Sequence, residues 1–141
     1  MSLSIVVDTN VFVSAIRSRW GASFRLLSLF GTGLFEVNLS VPLVFEYEEV
    51  GKRVAGELGM PAVAVDDILD FICQVSVHRE IHFLWRPYLR DVDDDFILEL
   101  AVEANCDAIV TYNKKDFAGV ERFGLRLLTP KEFLEEIGEL P

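Results

Sequence analysis

No apolar run in this chain approaches the roughly 20 residues needed to cross a bilayer. Its start, Met1 to Val7, reaches Asp8 without the basic segment that opens a signal peptide. Cysteine is scarce. Cys73 and Cys106 stand in apolar stretches and form no CxxC pair, so the expectation is a reduced, cytoplasmic protein with both thiols filling the core. Basic residues are also few: 13 Lys plus Arg face 23 Asp plus Glu, a formal net charge of -10. That balance excludes a broad cationic surface for duplex nucleic acid. What the chain has in quantity is apolar side chains, 51% of 141 residues against 26% charged, which excludes disorder. The length fits a single domain over residues 1–141 with a real core.

Strand and helix signals alternate. Ile5-Val6-Val7 is a β-branched run of the kind found in strands buried on both faces, and Val11, Phe12, Ala15 and Ile16 then have helical spacing. Gly21 to Phe30 reads as a second helix with Phe24, Leu27 and Leu29 as its apolar residues. Phe35 to Leu39 alternates as a strand, and Ser40 caps a helix to about Leu58 with Pro42 in its first turn. Pro61 to Cys73 continues as a helix, and Gln74 to Ile81 is extended. Phe83 to Leu89 is an irregular crossover, Asp93 to Asn105 a helix and Asp107 to Thr111 a second buried strand. A last strand near Leu125 to Leu128 leads through Thr129-Pro130 into a helix that Gly138 stops. This alternation predicts a parallel sheet covered on both faces, with ligands outside the carboxyl ends of its strands. Asp8 and the stretch from Thr111 to Asn113 fall at two such ends.

The acids concentrate in four places: Asp8, Glu46 with Glu48 and Glu49, Asp91 through Asp95, and Asp116. Asp8 has two readings, a helix N-cap or a ligand at a strand end. In the second group Leu43, Tyr47, Val50 and Val54 share one helix face. Glu46 lies about 70° from its centre, and Glu48 and Glu49 about 130° away. Glu46 therefore borders the core, where a carboxylate needs a cation or donors; Arg53 or Lys52 could serve at the rim. In the third group Ile97, Leu98, Ala101 and Ala104 define the buried face. Asp94 lies about 30° from its centre, Asp93 about 70° and Asp95 about 130°, facing away. A helix dipole favours acids in its first turn but does not require one on the core side, so Asp94 stands out. Asn113 and Asp116 carry oxygens at a strand end, where a turn also accounts for them. Carboxylates from distant segments at one sheet edge repel one another, a penalty that a hard cation such as Mg²⁺ or Mn²⁺ removes. The same ion serves phosphodiester hydrolysis.

Five segments resemble, in order and spacing, those of the PIN domain: Ile5 to Val11, Ser40 to Glu46, Asp91 to Ala101, Ala108 to Phe117 and Leu128 to Leu134. Within that family they are most similar to the toxins of prokaryotic toxin–antitoxin pairs. The resemblance implies a three-layer α/β/α sandwich with a central, mainly parallel sheet. It also implies a Mg²⁺- or Mn²⁺-dependent endoribonuclease that leaves a 5′-phosphate and a 3′-hydroxyl. Carried over, Asp8 and Asp94 bind the main metal and Glu46 holds or deprotonates the attacking water. Asn113, where many relatives have Asp, and Asp116 support a second ion. Thr9, Asn10 and Thr111 are supporting residues. Partners implied are an RNA substrate, a small antitoxin protein and a second copy in a homodimer, with no membrane.

Arg17, Arg19 and Trp20 after the first helix, with Lys114 and Lys115 beside the site, pair cations with an aromatic, as single-stranded RNA contacts do; a solvated loop is the competing account. Two rival functions remain. Phosphatases with an aspartyl nucleophile need a second Asp where this chain has Asn10. A catalytically impaired PIN-like module that binds RNA or a protein partner is the other, and Asn113 is the residue that keeps it open.

Overall fold

The computed structural model describes residues 3–81 and 92–140, with only the backbone of Val92 and Asp93; the predicted crossover over Phe83 to Leu89, and Asp91, lie outside the described residues. The two runs predicted as buried strands are adjacent: β1 (Leu3–Val7) pairs in parallel with β4 (Ala108–Val110), Ile5 opposite Ala108 and Val7 opposite Val110. On its other side β1 pairs with β2 (Phe35–Leu39), and β2 with the short β3 (Val77–His78). Beyond β4 comes β5 (Arg126–Leu128). The order is β3-β2-β1-β4-β5, and every pairing is parallel.

Parallel neighbours require crossovers, and these are helices. They are α1 (Thr9–Arg17) and α2 (Ala22–Ser28), then α3 (Val41–Glu57) and α4 (Ala62–Val75), then α5 (Val92–Glu103). Two 3-10 turns, Lys114–Phe117 and Val120–Phe123, join β4 to β5, and α6 (Pro130–Glu136) follows β5. The chain steps from β1 to β2 to β3 in one direction, then returns across the sheet to β4 on the far side of β1. Right-handed crossovers therefore put α1 to α4 on one face and α5 on the other. The packing agrees: α1 lies against α2 and α3, α3 against α4 and α2 against α6, while α5 packs on β1, β2 and β4. The predicted three layers are present.

Local signals place the helix starts as read. Ser40 Oγ accepts from Leu43 N at 3.4 Å with Pro42 in the first turn. Thr129 and Glu132 form a reciprocal capping box, 3.2 and 2.8 Å, around Pro130. On α2 the predicted face is displaced. Ser23 and Leu26 are buried while Phe24 is exposed, because the helix packs on both α1 and α6 and Ser23 has a hydrogen-bond partner inside. Of the two thiols, Cys106 is core: burial pushes it up to about 11, against a contact with Ser4 that lowers it. Cys73 is only partly buried.

Gly51 sets how closely α3 approaches α1. A Cβ there would lie 2.8 Å from Phe12 Cε2 and 3.2 Å from Val65 Cγ1. The Phe12 ring cannot yield readily, since it stacks on Tyr47 with centroids 4.7 Å apart. Gly51→Ala should gain about 1 kcal/mol of helix propensity but lose about 1–3 kcal/mol to overpacking. The expected net result is a lower urea midpoint with an unchanged slope; a raised midpoint would show that the helices separate freely.

Candidate active site

The strand order reverses between β1 and β4, so the crevice outside their carboxyl ends is the switch point where such sheets bind ligands. Asp8 is the residue after β1 and Thr111 the residue after β4. Asp8 occupies the N-cap position of α1, with its backbone oxygen accepting from Val11 N at 3.0 Å, yet its side chain makes no cap hydrogen bond. The capping account of this residue is therefore satisfied by its main chain alone. Its carboxylate, with Asp8 only 7% exposed, instead accepts from Thr111 Oγ at 2.7 Å on Oδ2.

Thr111 is fully buried and is the hub of the strand ends. Its hydroxyl oxygen accepts from Asn113 N at 3.0 Å and from Asn10 Nδ2 at 3.4 Å. A hydroxyl has two lone pairs and one proton. Both lone pairs are engaged, so the proton is committed to Asp8. Asn10 Oδ1 in turn accepts from Tyr112 N at 3.4 Å, closing the loop onto α1. Thr9, the other hydroxyl residue beside Asp8, is buried with an Oγ that has no hydrogen bond among the described residues.

Glu46 comes to the same place from α3. Tyr47, fully enclosed beside it, donates its hydroxyl to Val7 O, the carbonyl that precedes Asp8. Burial raises this phenol well above its ordinary value, and the charges of Asp8 and Glu46 raise it further. The Tyr47 hydroxyl thus ties α3 to the end of β1, one residue before Asp8. Glu46 also lines an open groove of about 710 Å³ with Val41, Pro42, Phe45, Glu49, Arg53 and Phe96. Neither expected rim cation neutralises it as an ion pair. Lys52 goes to Asp66 at 2.9 Å and Glu48 at 3.5 Å, and Arg53 has no ion pair among the described residues.

The start of α5 closes the groove through Phe96; Asp94, two residues earlier on the same helix, is partly buried. Its neighbour departs from the expected phase: Asp95 is 1% exposed and Glu99 3%. The phase argument assumes one buried face. This helix is covered on several sides, by β1, β2, β4, the start of α3 and the 3-10 turn Lys114–Phe117. Asp95 and Glu99 are buried acids that sequence reasoning did not single out. Their four-residue spacing was the available signal, but the same spacing describes a solvated stripe.

Asn113 precedes that 3-10 turn and Asp116 lies within it; both are exposed, joined by Asp116 N donating to Asn113 O at 3.0 Å. Lys114 is turned to Glu132, Nζ to Oε1 2.6 Å, and lowers that carboxyl. Arg17 reaches Glu57 at 3.3 Å, leaving Lys115 and Arg19 as the predicted contacts without an ion pair among the described residues. Among the described residues no three His, Cys, Asp or Glu side chains are grouped closely enough to hold a metal between them. The donors at the switch point are nevertheless all oxygens, two of them carboxylates, with the orphaned Thr9 hydroxyl beside them. That chemistry fits a hard, hydrated cation and no soft one.

An open, all-parallel α/β domain with Asp8 and Thr111 joined at its switch point defines a class of protein. The profile of the PIN domain matches residues 4–115, and the chain belongs to the PIN-domain family. It is 26% identical over 152 residues to the uncharacterized protein MJ1680 of Methanocaldococcus jannaschii, covering 96% of this chain and 92% of that one. Among solved structures it is similar in fold to VapBC2 from Rickettsia felis, determined bound to a DNA fragment from their promoter. The TM-score is 0.62 and the identity 15%, over 89% of this chain and 98% of that chain. Among the described residues no helix is long and apolar enough to cross a membrane.

Proposed function

We propose that this protein is a metal-dependent endoribonuclease, the toxin of a cytoplasmic toxin–antitoxin pair. The observation that carries the reading is the junction at the switch point, where Thr111 holds Asp8 and the charges of Asp8 and Glu46 bear on one buried tyrosine. Asp8 and Asp94 would hold Mg²⁺ or Mn²⁺, with Asn113 and Asp116 supporting a second ion. A bound ion supplies neutralising charge for the phosphodiester. Glu46, on the groove wall, takes the proton of a water whose oxygen attacks phosphorus. The 3′ oxygen leaves with its electron pair and is protonated, giving a 5′-phosphate and a 3′-hydroxyl. Thr111, itself held by Asn10, fixes the direction of Asp8, and Thr9 supports the site with its hydroxyl beside it. Lys115 stands beside the site to meet the RNA backbone, with Lys114 and Arg17 available on exchange of their surface ion pairs. A small antitoxin protein would cover the acidic crevice, and two copies would form a dimer.

The likeness of fold to VapBC2 and the family match support this reading. The exposed Asn113 and Asp116 favour the second reading, an impaired module that binds RNA or a protein without cutting. Incubation with RNA and Mn²⁺, with products sized and their ends determined, separates the two. The expected result is cleavage that stops on chelation, together with Mn²⁺ binding in calorimetry that Asp94→Asn abolishes. Cleavage that survives both treatments, or its complete absence in the unaltered protein, would defeat the nuclease reading.

A further inference from the structure

Trp20 is 96% exposed, although tryptophan is among the side chains most deeply buried on average. It stands in the turn between α1 and α2, over a groove of about 550 Å³ that runs to the start of α6. With Phe24, itself exposed, it supplies the aromatic part of the lining, beside Ala22 and Leu140; Arg19, Arg25 and Lys131 supply the charge. No acid lines this groove, in a chain where acids outnumber bases 23 to 13. Arg19 and Lys131 have no ion pair among the described residues. Arg25 reaches Glu139 at 3.4 Å across open surface, a contact a ligand displaces at little cost.

We infer that this groove binds single-stranded RNA, with Trp20 and Phe24 stacking on bases and Arg19, Arg25 and Lys131 meeting phosphates. The inference rests on the nuclease reading for the identity of the nucleic acid. Aromatic faces interleaved with cations are what a single strand needs: each base offers a face to stack and each linkage a charge. Trp, Phe and Arg also suit a protein interface, but three cations with no acid in the lining match a polyanion, and the acidic protein partner is an outcome of the test. The groove is also fastened to the candidate active site. Ser23, between Ala22 and Phe24 on α2, hydrogen-bonds through Oγ to Tyr112 Oη at 2.6 Å, and Tyr112 follows Thr111. That bond ties the helix carrying Phe24 and Arg25 to the chain segment that follows β4, where Thr111 holds Asp8.

The test uses the full chain carrying Asp8→Asn, so that RNA is not consumed, and a labelled single strand of about 12 nucleotides read by fluorescence anisotropy. Trp20→Ala should weaken binding by about 10-fold or more, with Trp20→Phe restoring most of it. Arg19→Ala combined with Lys131→Ala should lower the salt slope by about 1.4, the value for two phosphates of a single strand. Since Trp20 is almost wholly exposed, its loss should leave the melting temperature in place, which is checked in parallel. Binding of the RNA that Trp20→Ala leaves unchanged overturns the inference. So does an unchanged RNA affinity accompanied by loss of self-association or of an acidic protein partner, which would assign the groove to protein. Trp20-dependent binding by a protein that cuts no RNA would sink the nuclease reading and leave the groove standing; cutting with Trp20-independent binding would do the reverse.

Discussion

Replacing Asp8 with Asn is expected to lower RNA cleavage by about three orders of magnitude and to leave the fold intact. The reasoning starts from what Asp8 does not do. Its side chain is not spent on capping α1, since the cap is made by its backbone oxygen. Its carboxylate instead accepts from the Thr111 hydroxyl on Oδ2. An asparagine keeps an oxygen there, so the hydrogen bond survives, and removing one charge relieves repulsion with Glu46. The melting temperature should stay within about 3 °C, the shift that about 1 kcal/mol produces in a domain of this size. What disappears is a full negative charge at the switch point. Several kcal/mol of transition-state stabilisation depend on a cation held there, and each 1.36 kcal/mol is about tenfold in rate. Quantitative cleavage assays with Mn²⁺, beside thermal denaturation, check both halves. Cleavage within about tenfold of the unaltered protein would remove Asp8 from the chemistry.

The parts of this fold that depend on neighbours in sequence were legible. The unbroken runs Ile5 to Val7 and Ala108 to Val110 could only be doubly buried strands, and they are paired partners. Ser40 and Thr129 with Glu132 announce their helices chemically, and both caps form as read. Helical phase worked for α3, where Leu43, Tyr47 and Val54 are buried and Glu46 borders them. It failed on α5 because that helix is enclosed on several sides, and period distinguishes faces only when one of them meets water. Asp95 therefore looked solvated and is not. On α2, read only from its apolar residues, Phe24 is exposed while Ser23 is buried and hydrogen-bonded to Tyr112, 89 residues away. The site divides along the same line. Asp8, Glu46 and Asp94 were visible as oddities of their own segments. The commitment of the Thr111 proton to Asp8 was not, since it is fixed by two donors that only the folded chain assembles, one of them 101 residues distant.

That commitment has a measurable consequence at Thr111, where valine and serine should part company. Valine matches threonine in shape, so packing in this fully buried position is kept, but it deletes the hydroxyl that three groups share. Asn113 N and Asn10 Nδ2 lose their acceptor, and Asp8 loses the donor that fixes Oδ2. The stranded donors should cost about 1–3 kcal/mol of stability. The loss of direction at Asp8 should cost about 10- to 100-fold in Mn²⁺ affinity and in cleavage, the usual effect of removing a residue that orients a ligand. Serine keeps the oxygen and its proton, so Thr111→Ser should retain both properties while giving up only the buried methyl. The separation matters because a merely structural threonine predicts a different pattern. Both variants would then lose stability and neither would change the affinity of the folded protein for Mn²⁺. Calorimetric titration of each variant well below its melting temperature tells the two apart. An Mn²⁺ affinity in Thr111→Val equal to that of the unaltered chain would mean that Asp8 holds its own direction, and that the hydroxyl serves the loop to Asn113 alone.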